Sequence, residues 1–205
     1  DFSGEGSDRA DTYRMPTMLL ADGTMGQMME PVSLDYEKSE TAEKPWATTG
    51  TKMERQHNII TSLFLNPDEL EALNIERFQR YKVVEEKEVM YEEYMMEDAD
   101  ICIAAFGIAA RVAKNAINEA RKQGIKVGLI RPITLWPFPT APFKKAAEKV
   151  KEIISVELSM GQMIEDVRLA CECKVPVTLC SRTGGMIPSP EQVLEAIVKA
   201  NGGAN

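Results

Sequence analysis

Residues 101–130, ICIAAFGIAARVAKNAINEARKQGIKVGLI, determine the fold that this sequence predicts. Residues 101–106 form a continuous apolar run that ends at a glycine, as expected for a strand covered on both faces. Apolar residues then recur at helical spacing from Ala109 to Ala120, which predicts a helix with one buried face. Residues 127–130 form the next apolar run. This order predicts two parallel strands joined by a right-handed helical crossover.

The same alternation continues to the carboxyl end. Further apolar strands are predicted at 153–156 and 177–180, and amphipathic helices at 142–150, 164–170 and 190–198. The last helix begins with Ser-Pro-Glu-Gln, a capping box with proline at the first helical position. We therefore predict an α/β domain with a mostly parallel sheet and helices on both of its faces.

The amino-terminal half has a different organisation. Residues 1–100 carry 10 basic and 23 acidic side chains, whereas residues 101–205 carry 14 basic and 9 acidic ones. Met18–Ala21 is a short apolar run before Asp-Gly, which predicts a buried strand that ends in a turn. Residues 33–50 have the polar composition of a linker, and the charged segment 76–96 is typical of a solvated helix.

Composition excludes several classes of protein. With 205 residues, 44% hydrophobic and 27% charged, the chain is typical of a globular protein. No apolar run approaches the roughly 20 residues that span a bilayer. The net charge of −8 argues against nucleic-acid binding. We expect a cytoplasmic protein without a signal peptide. Since the first residue is Asp, we also expect a piece of a longer chain.

Chemistry in an open parallel sheet is expected in the loops after the strands. No glycine-rich phosphate loop is present. Arg131, and Arg182 with Gly184 and Gly185, are candidates for contacting an anion, although the glycines equally fit a simple turn. A proline-rich loop follows Arg131 and carries two aromatic residues that fit either a partner interface or packing within the chain. These two residues are Trp136 and Phe138.

Catalytic and metal-binding signals are weak. Glu157, with Glu165 and Asp166, fits a carboxylate pair for acid–base chemistry, but a strand-end acid followed by acids in the first turn of a helix is the preferred interpretation. The single histidine, His57, is interpreted as a surface or capping residue. The four cysteines lack the spacing of a zinc or iron–sulfur site, and we interpret them as structural thiols. We predict no catalytic and no metal-binding residue here.

Several stretches together resemble one family. They are YRMP (13–16), LADG (20–23), EDAD (97–100), GIKVGLIRPITLWPFP (124–139), ELSMGQM (157–163) and GGMIP (184–188). They resemble the carboxyl-terminal part of the alpha subunit of 2-oxoacid:ferredoxin oxidoreductases, and most closely the branched-chain (2-oxoisovalerate) type. Pyruvate and 2-oxoglutarate relatives share several of the stretches.

The resemblance implies a division into three segments. Residues 1–32 would be the end of a truncated pyrimidine-binding domain for thiamine diphosphate. Residues 33–98 would be a linker with helical segments, and residues 99–205 a transketolase carboxyl-terminal-like α/β domain. The family oxidises a 2-oxoacid with coenzyme A and ferredoxin to acyl-CoA, CO₂ and reduced ferredoxin.

The same resemblance implies which groups this segment lacks. The parent complex would hold thiamine diphosphate, Mg and iron–sulfur clusters, none of them bound by this segment, which would be inactive alone. Its partners would be the thiamine-diphosphate-binding beta chain and the ferredoxin-like chain, with ferredoxin and coenzyme A reached through the complex.

Two alternatives remain open from the sequence. One is an independent flavodoxin-like binding module for a nucleotide or coenzyme A. The other is the carboxyl-terminal domain of a different thiamine enzyme, which the match at residues 13–23 makes less favourable.

Overall fold

The computed structural model describes residues 2–31, 33 and 43–202. The helices and strands follow in chain order: α1 Phe2–Tyr13, a 3-10 helix Met25–Gln27, α2 Pro67–Lys87, β1 Tyr91–Tyr94, β2 Ile101–Ala104, α3 Gly107–Lys122, β3 Val127–Pro132, α4 Thr140–Ala146, β4 Glu152–Glu157, α5 Met163–Ala170, β5 Val177–Ser181 and α6 Pro190–Ala200. They form two compact units, Asp1–Leu20 with Met29–Val84, and Ala21–Met28 with Glu85–Asn205. We call the second the α/β unit.

The α/β unit is built on a five-stranded sheet with the strand order β1-β3-β2-β4-β5. Strands β3, β2, β4 and β5 pair in parallel, and β1 pairs antiparallel with β3 at one edge. All four residues of the central strand β2 are buried. The predicted mostly parallel sheet and the four successive strand–helix units are therefore confirmed.

Alternate residues of β2 face two separate cores. Ile101 and Ile103 belong to the core that α3 and α6 complete, whereas Cys102 and Ala104 belong to the core that α4 and α5 complete. Since successive side chains of a strand point to opposite faces, helices cover both faces of the sheet as predicted. The run of β2 is continuously apolar because both faces of the strand contact a hydrophobic core.

The predicted capping box of α6 is present. The Ser189 hydroxyl accepts a hydrogen bond from the backbone N–H of Gln192, and the Gln192 side chain accepts one from the backbone N–H of Ser189. The two bonds satisfy N–H groups that a helix start otherwise leaves unpaired, which fixes where α6 begins.

Two predictions for the amino-terminal half are wrong. Residues 18–21 form no strand, and Met18, Leu19 and Leu20 are exposed, because an apolar run does not by itself supply the neighbour with which a strand pairs. The charged helix predicted at 76–96 is α2, which begins earlier and ends at Lys87.

The end of that predicted helix is instead the strand β1. Its residues Tyr-Glu-Glu-Tyr alternate between exposed and half-buried positions, as in an edge strand with one covered face. β1 lies within the predicted linker 33–98, of which residues 34–42 lie outside the described residues. The three-segment division stays a prediction. No helix in the described ranges is long and apolar enough to cross a membrane.

Candidate functional site

The candidate site is the edge of the sheet where the parallel strands β2, β3, β4 and β5 end. The strand register places Ile130, Ala104, Ser155 and Leu179 in one row across this edge. The loops after that row carry the residues that the sequence singled out. In open α/β sheets ligands bind at this edge. The contacts of each loop residue therefore show whether its side chain is available to a ligand.

Glu157, the last residue of β4, is buried and caps the start of α5. Its carboxylate accepts hydrogen bonds from the backbone N–H groups of Gln162, Met163 and Ile164 at 2.8, 3.2 and 2.8 Å. The hydroxyl groups of the serines at 155 and 159 donate to the same carboxylate, each at 2.8 Å. One carboxylate thus satisfies three N–H groups that α5 would leave unpaired.

These contacts keep Glu157 ionised. Burial is the largest influence and raises the pKa, but the Gln162 N–H, the two serine hydroxyls and the Ile164 N–H together hold the pKa below its ordinary value of 4.5. A carboxylate with five donors and a lowered pKa is a poor general acid and a poor base. Glu157 is thus a strand-end acid, as the preferred interpretation has it, and its capping of α5 was not predicted from the sequence.

The other members of the predicted carboxylate pair lie in the first turn of α5. Burial, followed by the charges of Glu165 and Glu157, raises the pKa of Asp166. No hydrogen bond joins Asp166 to Glu157 within the described part of the chain. The arrangement is a capped helix start rather than a proton-sharing pair.

Arg131, in β3, lies beside acidic β1. Its guanidinium donates to a carboxylate oxygen of Glu92 at 2.8 Å, and the ammonium of Lys114 binds the other oxygen at 2.5 Å. The hydrogen bond from Lys114 lowers the pKa of Glu92, burial opposes this, and Arg131 lowers it further. Glu92 thus ties β1 to both β3 and α3 and neutralises part of the charge of Arg131.

Arg182 follows β5 with the two glycine candidates. Gly184 and Gly185 both have positive φ, 65° and 85°, and the N–H of Met186 closes the turn onto the carbonyl of Thr183 at 3.2 Å. A Cβ added at either glycine would meet no atom within 4 Å, so this turn is open on the side of its glycines. The glycines therefore supply the turn, and they leave room beside it.

The two arginine candidates lie on different strands of the sheet. Arg131 is the next-to-last residue of β3 and Arg182 follows β5, with β2 and β4 between these two strands. With neighbouring strands about 4.8 Å apart, three strand spacings separate their backbones by roughly 14 Å. The two arginines also differ in their contacts, because Glu92 binds the guanidinium of Arg131.

A third carboxylate at this edge was missed by sequence reasoning. Asp22 accepts a hydrogen bond from the N–H of Met25 at 2.8 Å and lies 3.3 Å from the N–H of Ile108, at the start of α3. Gly107 has a φ of +58°, and a Cβ there would lie 3.1 Å from the Asp22 carboxylate. The segment Ala21–Met28 is thereby fixed at the loop after β2. The sequence spacing could not predict this contact, because 86 residues separate Asp22 from Ile108.

The two aromatic candidates have different surroundings. Phe138 stacks on Phe143 with ring centroids 5.4 Å apart and is half-buried against the core formed by α4 and α5. Trp136 is 53% exposed. Of the two interpretations, partner interface or packing within the chain, packing within the chain describes Phe138. Trp136 provides the exposed apolar surface of this loop.

The described residues offer no donor set for a metal or a cluster. No group of three or more His, Cys, Asp or Glu side chains in the described ranges is arranged to hold a metal ion. Burial raises the pKa of the Cys102 thiol to about 12, so it stays protonated, whereas cluster ligands are thiolates. These residues do not fit an iron–sulfur cluster. His57 is exposed.

Comparison with known proteins gives one consistent result. Residues 99–193 match the family model described as pyruvate:ferredoxin oxidoreductase core domain II. Over the whole chain the sequence is 44% identical to the ketoisovalerate oxidoreductase subunit VorB of Methanothermobacter marburgensis, of which it covers 58%. It is 25% identical to the 2-oxoglutarate synthase subunit KorA of the same organism, over 97% of this chain and 60% of that subunit. The chain thus spans a little over half the length of the curated relatives it matches.

The fold recurs in a solved structure. The 2-oxoglutarate:ferredoxin oxidoreductase of Magnetococcus marinus, with 2-oxoglutarate, coenzyme A and succinyl-CoA bound, matches 67% of this chain with a TM-score of 0.56. The match covers 24% of that chain at 21% identity, so it shows the fold alone.

Proposed function

Because this chain belongs to the 2-oxoacid:ferredoxin oxidoreductase family, we propose that it is the structural and interface portion of a subunit of such an enzyme, with a branched-chain 2-oxoacid as substrate. The enzyme would convert 2-oxoisovalerate, coenzyme A and oxidised ferredoxin to acyl-CoA, CO₂ and reduced ferredoxin. The observation that carries the proposal is the identity of 44% to the ketoisovalerate subunit over the whole chain, against 25% to the 2-oxoglutarate subunit.

A supporting role is favoured by how the polar side chains at the sheet edge are used. Glu157 caps α5, Asp22 binds the start of α3, and Glu92 joins β1 to its neighbours. Each of these carboxylates stabilises the fold of the α/β unit. We therefore assign the chemistry to thiamine diphosphate, Mg and iron–sulfur clusters bound by other parts of the complex, and no catalytic residue to this segment.

An interface role is favoured by exposed apolar side chains. Ile59, Leu63 and Leu65 are 83, 71 and 84% exposed, and Phe78 on α2 is 63% exposed. Large apolar side chains exposed to this extent are candidates for contacts with other subunits. We propose that these residues and Trp136 contact other subunits, namely the thiamine-diphosphate-binding beta chain and the ferredoxin-like chain.

Coenzyme A is the proposed ligand of the loop after β5. Arg182 offers a guanidinium, and Gly184 and Gly185 leave space for a phosphate to approach the backbone. Arg131 is the weaker candidate because Glu92 already binds its guanidinium. The alternative of an independent flavodoxin-like binding module is not favoured, because the relatives matched along the whole chain are oxidoreductase subunits.

The test is affinity purification, from its native source, of the full protein that contains this sequence. The eluate is assayed for coenzyme A-dependent reduction of a viologen dye by 2-oxoisovalerate, pyruvate and 2-oxoglutarate. We expect thiamine-binding and iron–sulfur chains to copurify, with 2-oxoisovalerate giving the highest kcat/KM.

Two results would contradict the proposal. A higher kcat/KM for pyruvate or 2-oxoglutarate would overturn the assigned substrate but leave the subunit role standing. A protein that purifies alone under anaerobic conditions, gives no dye reduction and binds coenzyme A at micromolar strength would favour the binding module instead.

A further inference from the structure

Two cysteines that the proposed function does not use meet at the end of α5. The thiol of Cys171 lies 3.4 Å from the carbonyl oxygen of Arg168, and the thiol of Cys173 lies 3.6 Å from the same oxygen. The two Sγ atoms are therefore separated by no more than the sum of these distances, about 7.0 Å. The sulfurs of a disulfide are about 2.0 Å apart, so the Cys173 side chain must rotate towards Cys171 for the bond to form.

The backbone of the turn favours the same approach. The N–H of Cys173 donates to the Arg168 carbonyl at 3.1 Å, the long-range bond of a Schellman ending, and Glu172 takes the left-handed conformation with a φ of 54°. Residues two apart span at most about 7 Å when fully extended, and a turn shortens that distance. The Cα atoms of the cysteines thus fall near the roughly 4.4–6.8 Å range of disulfides.

The two thiols differ sharply in access to solvent. Cys171 is completely buried in the core formed by α4 and α5, whereas Cys173 is exposed. A dissolved oxidant therefore reaches Cys173 and not Cys171. Cys171 needs no access to solvent to react further, because its only target is the neighbouring sulfur.

We propose that Cys171 and Cys173 form a redox-active dithiol, a modification site whose oxidants are low-molecular-weight disulfides. The Cys173 thiolate attacks the disulfide RS–SR, forms the mixed disulfide Cys173–S–SR and releases RS⁻. The Cys171 thiolate then attacks the Cys173 sulfur, forms the Cys171–Cys173 disulfide and expels the second RS⁻. The protein loses two protons and two electrons, and RS–SR is reduced to two RSH.

The other two cysteines provide internal controls. Burial raises the pKa of Cys102 to about 12, and burial together with the charge of Glu195 raises the pKa of Cys180. Thiols with raised pKa values present less thiolate, which is the form that attacks disulfides. We expect Cys102 and Cys180 to stay reduced, because neither is exposed to a dissolved oxidant as Cys173 is.

The test uses the full protein that contains this sequence, incubated anaerobically with oxidised glutathione. Thiols are then blocked with a maleimide and the protein is digested with trypsin. Cleavage after Arg168 and Lys174 places both cysteines in one peptide, Leu-Ala-Cys-Glu-Cys-Lys. We expect this peptide to lack maleimide and to weigh two hydrogen atoms less than its reduced form, while Cys102 and Cys180 carry maleimide.

Two variants separate the steps. Cys171→Ala should convert the product into a persistent glutathione adduct on Cys173, because the resolving thiol is missing. Cys173→Ala should leave Cys171 free of glutathione until the protein is unfolded. A wild-type protein that accumulates the same glutathione adduct as Cys171→Ala would overturn the proposal.

A second measurement on the wild-type protein requires no variant to fold. Phenylarsine oxide bridges two nearby thiols and leaves single thiols unoccupied. We expect one arsenical bound to the peptide that contains Cys171 and Cys173, released by a dithiol and not by a monothiol. Absence of that bridge would show that the two sulfurs do not meet and would overturn the proposal.

Discussion

Replacing Glu157 by glutamine keeps the shape of the buried side chain but removes its charge and one of its acceptor oxygens. Oε1 accepts hydrogen bonds from the Ser155 hydroxyl and the Ile164 N–H, and Oε2 from a second hydroxyl and the N–H groups of Gln162 and Met163. Fewer hydrogen bonds are lost if the glutamine NH₂ group takes the place of Oε1, which accepts two bonds, than the place of Oε2, which accepts three. Ser155 then rotates to accept, and the Ile164 N–H loses its acceptor.

The expected destabilisation follows from these contacts. A buried N–H without an acceptor costs about 1–3 kcal/mol, and the remaining bonds weaken because their acceptor is no longer charged. We expect Glu157→Gln to lower the free energy of unfolding by roughly 2–4 kcal/mol. The matched control is Glu165→Gln, which removes an exposed charge from the same turn of α5 and should cost only about 0.3–1 kcal/mol.

The assay is urea unfolding of both variants followed by circular dichroism, at pH 7 and in steps down to pH 3. Burial raises the pKa of Glu157, but its hydrogen bonds more than offset this and lower the pKa from 4.5. Stabilisation by Glu157 is therefore complete above pH 4.5 and is lost as the pH falls through the lower pKa of the folded state. The difference between wild type and Glu157→Gln should narrow in that range. Equal unfolding free energies for the two variants at pH 7 would refute the capping role.

The remaining predictions concern the interface, strand β3 and the thiols. Trp136→Ala should weaken assembly with partner subunits more than folding, and an unchanged complex on gel filtration would contradict this. Gly128→Ala should destabilise the sheet by about 1–3 kcal/mol in thermal unfolding, because its Cβ would lie 2.5 Å from the backbone oxygen of Met95; an unchanged Tm would refute that clash. Replacing Cys171 and Cys173 by serine should leave the iron content of the assembled enzyme unchanged, and loss of iron would show that they are ligands.

Much of the α/β unit could be predicted because its signals are local. The apolar composition of residues 101–104 shows that both faces of β2 are buried, and the spacing from Ala109 to Ala120 shows which face of α3 is buried. The capping box at Ser189 lies within one turn of helix. Such patterns depend on neighbouring residues alone, so they can be recognised without knowing how the rest of the chain folds.

The amino-terminal half was predicted poorly for the opposite reason. The apolar run at 18–21 has the composition of a strand, but a strand depends on a partner that no short stretch of sequence identifies. The charges of β1 suggested a solvated helix, whereas Glu92 binds Arg131 and Lys114, which lie 39 and 22 residues away. The charges of β1 therefore reflect ion pairs with residues distant in sequence and not a solvated helix.

The sequence by itself determined the order of strands and helices from residue 101 onwards, the buried face of α3 and the family. Only the tertiary structure decided the strand order β1-β3-β2-β4-β5 and the contacts of the polar residues at the sheet edge. It separated Arg131 from Arg182, turned Glu157 into a helix cap and brought Asp22 to the start of α3. The physical reason is that apolar periodicity is set by local geometry, whereas a carboxylate acquires its role from whichever donors the fold brings to it.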